Sequence, residues 1–469
     1  MGGGDVTYSE FIARKSRFVA SSGFVVDDAK LSPRLFPFQR DLVRWALRRG
    51  RAALFCQTGL GKTAMQLEWA RHVCAETGGK VLILAPLAVA AQTVREGAKF
   101  GVKVAHARKP EDVGAGVTVT NYDILDRFDA SAFSGIILDE SSILKAYTSK
   151  TTNALIEAFV RTPYKLCATA TPAPNDFTEL GNHAEFLGAM SRVEMLATFF
   201  VHDGGSTQDW RLKGHAEDLF WEWICSWGAV VSRPSDLGYP DGGHALPELV
   251  EESHILPATH EDAFASGRLF LDEAKTLQER RAARSGSMPR RVARAAEIVN
   301  AEPGEPWLVW CDLNAESEAL VKAIPGAVEV KGADSPEHKE DAMIGFAEGR
   351  HRVLVTKPSI AGFGMNWQHC ARMIFVGMSD SFEQQFQAIR RCWRFGQTRP
   401  VVVHTVTSEL EGAVRGNIAR KARDAEQMAG AASLVVGRVV RENIQSLERL
   451  STPYSATKPV AVPSWLKVS

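Results

Sequence analysis

Short apolar runs recur through the first third of the chain, at Ala52 to Cys56, Val81 to Ala85, Val117 to Thr120, Gly135 to Leu138 and Lys165 to Ala168. Longer stretches with helical spacing of apolar residues separate them. Strand-length runs alternating with helices are what a parallel sheet with crossover helices requires, so one such unit is predicted from about Phe36 to Thr171. A second alternating set begins at Trp307 to Cys311 and continues through Ala327 to Val330, Arg352 to Thr356, Met373 to Val376 and Val401 to Thr405. The predicted fold class is α/β, with two parallel-sheet lobes. Between them Phe199, Phe200, Trp210, Phe220, Trp221, Trp223 and Trp227 crowd a stretch with too little strand pattern to extend either sheet. It reads as a mostly helical attachment to the first unit. The segment SRPSDLGYPDGGHALPE, 232 to 248, is dense in Gly and Pro and reads as the linker. The expected organisation is an N-terminal extension (1–35), a first lobe (36–183), a helical aromatic-rich insertion (184–231), a linker region (232–258), a second lobe (259–430) and a C-terminal helix and tail (431–469).

Composition narrows the class only a little. The chain has 469 residues, 45% apolar and 23% charged, which is ordinary globular usage and excludes a mostly disordered or collagen-like chain. Fifty-five basic residues balance 55 acidic ones, so a polyanion partner would have to be met by a local patch. Seven widely spaced cysteines with no C-x-x-C pair argue against a disulfide framework or a zinc site. The longest apolar stretch, Val81 to Ala91, contains Pro86 and is far short of the roughly 20 residues a membrane helix needs. With no apolar signal region in MGGGDVTYSE, a reducing, cytoplasmic setting is expected, with no membrane partner.

The chemistry concentrates at strand ends. After Ala52 to Cys56 comes QTGLGKT, 57 to 63, followed by a helical pattern. A glycine-containing turn between strand and helix lets backbone N–H groups surround phosphate oxygens at a helix N-terminus. In this turn Thr58, Gly59 and Gly61 shape the cradle, Lys62 adds a cation and Thr63 offers a hydroxyl to magnesium. The run GIILDES, 135 to 141, is an apolar strand ending in two carboxylates. Asp139 can hold magnesium, partly through water, and Glu140 can orient and deprotonate an attacking water. KLCATATPAPND, 165 to 176, ends a further strand with Thr169 and Thr171, placed to sense the nucleotide for a neighbouring lobe. In QAIRRCWRFGQ, 387 to 397, Arg391 and Arg394 are three apart and share a helical face, from which they can reach a phosphate bound on the other lobe.

This ordered set resembles a superfamily 2 helicase core, and within it the SNF2-like branch of DNA translocases. LFPFQRDLV is similar to that branch's opening motif, GLGKT, APLAVAAQTV, VTNYDIL, LDESSILKAYTSK and TATP to its first-lobe motifs, and AGFGMNWQ and QAIRRCWRFGQ to its last two. The resemblance covers about 400 residues, Phe36 to Lys421. It implies two RecA-like lobes with ATP and Mg²⁺ between them, Gln39 at the adenine base, and Gly364 and Gln387 among the nucleotide-binding residues. It further implies movement along duplex DNA driven by hydrolysis, with single-stranded or forked DNA as the alternative track. Departures sit at Ser142, where the family's acidic box usually has a histidine that couples the lobes, and at Arg390 and Trp393, where Gly and His are common. The segments HAEFLG and WRLKGHAEDLFW resemble phage-encoded members, which implies a bacterial or host cytoplasm.

The track itself is less legible. Between Lys275 and Arg294 seven basic residues face one acid, Glu279, so Arg280, Arg281, Arg290 and Arg291 are candidate phosphate contacts, the alternative being an acid-paired helix. The aromatic insertion reads as the core of a helical subdomain, with a stacking surface for single strands as the other reading. Histidines such as His183, His215, His244, His254 and His260 show no i, i+4 pair with a helical acid and read as ordinary residues. Two other functions stay open on sequence: an RNA or single-strand helicase of superfamily 2, and an adaptor that keeps the fold without turnover.

Overall fold

The computed structural model describes residues 21–174, 176–202, 210–244, 246–259, 284–361, 365–377, 379 and 381–411, with 414, 416, 420 and 423. The first lobe is built on a seven-stranded parallel sheet of β1 (Arg51–Cys56), β2 (Lys80–Ala85), β3 (Val104–His106), β4 (Val117–Asn121), β5 (Phe133–Asp139), β6 (Tyr164–Thr169) and β9 (Gly228–Val231), in the order β3-β4-β2-β5-β6-β1-β9. Helices α1 (Pro37–Arg49), α2 (Lys62–Thr77), α3 (Leu87–Phe100), α4 (Lys150–Ala158) and α5 (Leu180–Leu187) cover it. Every residue of β4, and all but the first of β1, β2 and β6, is buried, as expected of strands covered on both faces.

The aromatic insertion belongs to the core. Helices α6 (Arg192–Phe199) and α7 (Glu217–Trp227) carry Phe199, Phe220, Trp221, Trp223 and Trp227, each at most 1% exposed. Phe199 stacks on Trp223 with ring centroids 5.4 Å apart, and Trp227 meets Phe55 of β1 edge-on. These rings are unavailable as a stacking surface. The insertion also contains strand structure that its sequence pattern hides: an antiparallel hairpin of β7 (Phe200–His202) and β8 (Trp210–Leu212), and β9, which extends the sheet beside β1. Each of these strands is only three or four residues long, too short for periodicity to register.

The second lobe holds a six-stranded parallel sheet, β10-β15-β14-β11-β13-β12, made of β10 (Leu249–Leu256), β11 (Trp307–Cys311), β12 (Ala327–Val330), β13 (Val353–Thr356), β14 (Arg372–Val376) and β15 (Val401–Ser408). Helices α8 (Met288–Ala301), α9 (Asn314–Ala323), α10 (Pro336–Ala347) and α11 (Phe382–Ile389) pack on it. Strand β10 lies within the region expected to be linker, yet it pairs with β15 in unbroken register from Leu249↔Val401 to Leu256↔Ser408. Its sequence, LVEESHIL, alternates weakly because it is an edge strand with only partial burial. Among the described residues no helix is long and apolar enough to cross a membrane.

Candidate active site

Strands β5, β6 and β1 are neighbours, so the loops leaving their carboxyl ends converge on one edge of the first sheet. After β1, Gly59 and Gly61 take φ values of 95° and 76°, and Gly61 caps α2, leaving the helix N-terminus open toward a cleft of about 460 Å³. A Cβ at Gly59 would meet the Phe395 backbone nitrogen at 3.1 Å, so the loop touches the second lobe directly. Thr58, Gly59, Gly61, Lys62 and Thr63 line the cleft, with Lys62 Nζ donating to the Cys56 carbonyl at 3.0 Å. Gln39 also lines it, but its amide serves the chain itself, accepting from Phe36 N–H at 2.9 Å and donating to the Leu60 carbonyl at 2.8 Å. It pins the phosphate loop to α1.

Asp139 closes β5 and accepts from Gln66 Nε2 at 2.7 Å, while Tyr122 Oη donates to the Asp139 carbonyl at 2.7 Å. Glu140 follows with φ 54° and ψ 55°, the one left-handed non-glycine among the described residues. Such a conformation is costly for a side-chain-bearing residue and persists where the surroundings enforce it. Burial raises both carboxyl groups above the usual carboxylate range, and Lys62 opposes this for each. Two desolvated acids and the Thr63 hydroxyl present the oxygen donors that a hard divalent cation takes, so the residues fit magnesium. Thr169 Oγ donates to Glu140 Oε2 at 3.3 Å and accepts from Thr171 N–H at 3.1 Å, tying the end of β6 to the acidic box.

From the second lobe Arg391 and Arg394 reach the same cleft. They do not sit on a regular helix: α11 stops at Ile389, and the arginines occupy the turns after it. Arg391 is 5% exposed and its guanidinium donates to the Gln387 carbonyl (3.0 Å), the Met365 carbonyl (3.1 Å) and Gln387 Oε1 (3.2 Å). Gln387 therefore lies behind the arginine and holds it, away from the cleft wall where it was expected to bind nucleotide. Arg394 hydrogen-bonds Asn366, and burial lowers it to about 10. Gly364 lies outside the described residues.

The structure supplies the lobe coupling that Ser142 left open. Ser142 Oγ donates to Glu383 Oε1 at 2.6 Å, and Lys145 forms an ion pair with the other carboxylate oxygen. Glu383 is 8% exposed in the first turn of α11, one helical turn before Gln387. Ser142 thus ties the acidic box to Glu383 at the start of α11, the same helix carries Gln387, and Gln387 holds Arg391, whose positive charge acts on Glu140. Glu383 lies outside every motif quoted from the sequence, and although Lys145 lies within LDESSILKAYTSK, only the contact across the lobes shows what either residue does. The rings of Phe36, His244 and Phe395 likewise come together only in the fold, meeting at the cleft mouth with His244 and Phe395 centroids 4.6 Å apart.

One member of the predicted basic patch, Arg291, is corrected. Arg291 is fully buried and paired with Glu316 at 2.8 Å, its Nε donating to Ser287 Oγ at 3.1 Å. Arg284 pairs with Asp312, and Arg290 donates to the Pro257 carbonyl at 2.8 Å. Acid pairing inside the lobe absorbs the charges of Arg284 and Arg291, so Arg291 makes no phosphate contact. Arg280 and Arg281 lie outside the described residues.

Against this geometry, residues 38–199 match the family model of the SNF2-related domain and residues 290–396 that of the helicase conserved C-terminal domain. The chain belongs to the SNF2 branch of the superfamily 2 helicase-ATPases. SNF2 ATPase cores are built from these two domains, and the membership implies use of ATP and Mg²⁺. A Xenopus tropicalis protein, SWI/SNF-related matrix-associated actin-dependent regulator of chromatin subfamily A-like protein 1, is 29% identical over 168 residues, a match covering 33% of this SNF2-branch chain and 17% of the relative. The solved Sulfolobus solfataricus SWI2/SNF2 ATPase core in complex with dsDNA is 18% identical, covering 90% of this chain and 99% of that one, with a TM-score of 0.42.

Behind the acidic box of this SNF2-branch chain, His183 is wholly buried, its Nε2 3.1 Å from Ser141 Oγ, and burial lowers its pKa to about 4. A histidine depressed from 6.5 stays neutral when folded but binds a proton when unfolded. Its stabilising contribution is thus complete above pH 6.5 and is lost as pH falls toward 4, by about 3 kcal/mol. Urea unfolding at pH 7 and pH 4.5 is expected to show a drop of that order, and His183→Gln should flatten it.

Proposed function

We propose that the chain is an ATP-dependent DNA translocase, hydrolysing ATP in the interlobe cleft and converting closure of the lobes into movement along duplex DNA. The observation that carries this reading is the convergence of Lys62, Asp139 and Glu140 from one lobe with Arg391 and Arg394 from the other on a single cleft. In this mechanism the loop from Thr58 to Thr63 receives the phosphates at the α2 N-terminus, and Lys62 leaves the Cys56 carbonyl to meet them. Thr63 and Asp139 would hold magnesium, which when bound neutralises charge on the transferring phosphoryl group. Glu140 takes the proton of the attacking water, Thr169 senses its state, and Arg391 and Arg394 meet the charge that develops in the transition state. Arg391, already held by three acceptor contacts in its own lobe, needs little reorganisation.

The likeness of HAEFLG and WRLKGHAEDLFW to phage-encoded members supports a viral setting. ATPase rates without nucleic acid and with duplex DNA, single-stranded DNA or RNA test the track: duplex stimulation is expected, and stimulation by RNA alone would overturn the reading.

Glu383 positions Arg391 in this scheme without touching substrate. Glu383→Gln is expected to lower DNA-stimulated kcat by about 10- to 100-fold while leaving KM for ATP within a few-fold, since small misplacements of a reacting group carry costs of that size. Partial recovery in Glu383→Asp separates positioning from simple loss of fold. An equal fall in folded fraction and rate would assign the contact to stability alone.

A further inference from the structure

On β10, Glu252 and His254 are two residues apart and so face the same side of the sheet, and His404 of β15 stands in register with Glu252. Their potential ligand atoms all lie within 4.8 Å of one another. His254 Nε2 is 3.0 Å from His404 Nδ1, and Glu252 Oε2 is 3.3 Å from His404 Nδ1 and 3.9 Å from His254 Nε2. Ligands held tetrahedrally at about 2.0–2.1 Å from a zinc ion stand about 3.3–3.4 Å apart, and the three observed edges straddle that value. We infer that Glu252, His254 and His404 form a binding site for a borderline divalent metal ion of the zinc class, with water as the fourth ligand. The inference goes beyond the ATPase reading and does not rest on it.

The donor set selects the ion class. Two imidazoles and one carboxylate suit zinc-like ions, whereas magnesium and calcium favour all-oxygen shells and copper(I) favours sulfur. Two imidazole nitrogens 3.0 Å apart share one proton, and when the metal takes its place that proton moves, by exchange through solvent, to the other nitrogen of its own neutral ring, so each imidazole binds the ion as a neutral ligand with no net proton released. That contact sets the two nitrogens face to face, with ring centroids 5.3 Å apart, and metal binding would require each ring to turn about Cβ–Cγ so that both lone pairs point to the space beside Glu252. The Trp307 indole packs on the His404 ring at 5.5 Å and limits its other motions. His404 and His254 side chains are 12% and 19% exposed while Glu252 is 49% exposed, giving the ion a route in from solvent. No i, i+4 pair on a helix marks this site in the sequence, because its ligands lie on two strands. The relevant spacing is i, i+2 on a strand plus one residue across the ladder.

The site joins the strand that enters the second lobe to the last strand among that lobe's described residues, so occupancy would fasten the connector to the sheet. The test uses untagged full-length protein, stripped with chelator and titrated with ZnCl₂ by calorimetry and with CoCl₂ by visible absorption. One ion per chain is expected, with tetrahedral cobalt bands and no thiolate charge-transfer band, together with a higher melting temperature when zinc is added. His404→Ala and His254→Ala should weaken binding by more than the roughly 10- to 100-fold that an outer-shell partner is worth. Glu252→Gln, at an exposed position, should weaken it at least about 10-fold with unchanged circular dichroism and ATPase rate, which guards against misfolding of the histidine variants. Absence of stoichiometric binding to the wild-type chain, unchanged affinity in these variants, or thiolate ligation would each overturn the assignment.

Discussion

Glu140→Gln is expected to bind ATP with near-normal affinity and to hydrolyse it about 10²- to 10⁴-fold more slowly, the usual contribution of a general base. Glu140 is buried and held in a left-handed conformation, with Thr169 on its Oε2. Burial raises its carboxyl above the usual carboxylate range, while Lys62 and Arg391 oppose the shift. Glutamine preserves shape and the bond from Thr169 but cannot accept the water's proton. Lys62→Ala should behave differently, losing ATP affinity because the cation facing the phosphates is gone. Nucleotide affinity and single-turnover rate on the same preparations distinguish the two. Wild-type turnover in Glu140→Gln would remove Glu140 from the role of base.

Arg391→Ala is expected to reduce DNA-stimulated turnover by about 10³-fold or more with little change in ATP affinity, the range for an arginine finger. A finger acts on charge present only in the transition state, so its loss appears in kcat. Burial lowers the Arg391 guanidinium from its ordinary value while Glu140 opposes that, so the arginine is tuned by the other lobe before any nucleotide arrives. Arg394→Ala should have the same sign. If Arg391 serves only its own lobe, its removal would lower the melting temperature and leave turnover per folded molecule intact. Measuring both quantities decides between these outcomes.

The two sheets and the nucleotide cradle were legible because their signals are local: continuous apolar runs for covered strands, and glycine, lysine and paired acids at strand ends. What sequence hid depends on pairing between distant segments. Strand β10 has an edge strand's weak alternation, and β9 is only four residues long, so both read as something other than sheet. Glu383 lies 241 residues from Ser142, and no pattern in either neighbourhood announces the contact. The basic run misled for the same reason, since the acid that neutralises Arg291, Glu316, sits on another helix. Local charge counts cannot distinguish a phosphate-binding face from an internal ion pair.

The connector between the lobes has both ends woven into sheets, leaving 232 to 248 between Val231 of β9 and Leu249 of β10. Within it Tyr239 hydrogen-bonds Asp41 on the first lobe, and Trp393 of the second donates to the Pro247 carbonyl at 2.7 Å. A tensile force between the lobes would therefore pull along parallel strand ladders in shear, where many backbone hydrogen bonds must fail together, and little of the stroke would be lost in taking up slack.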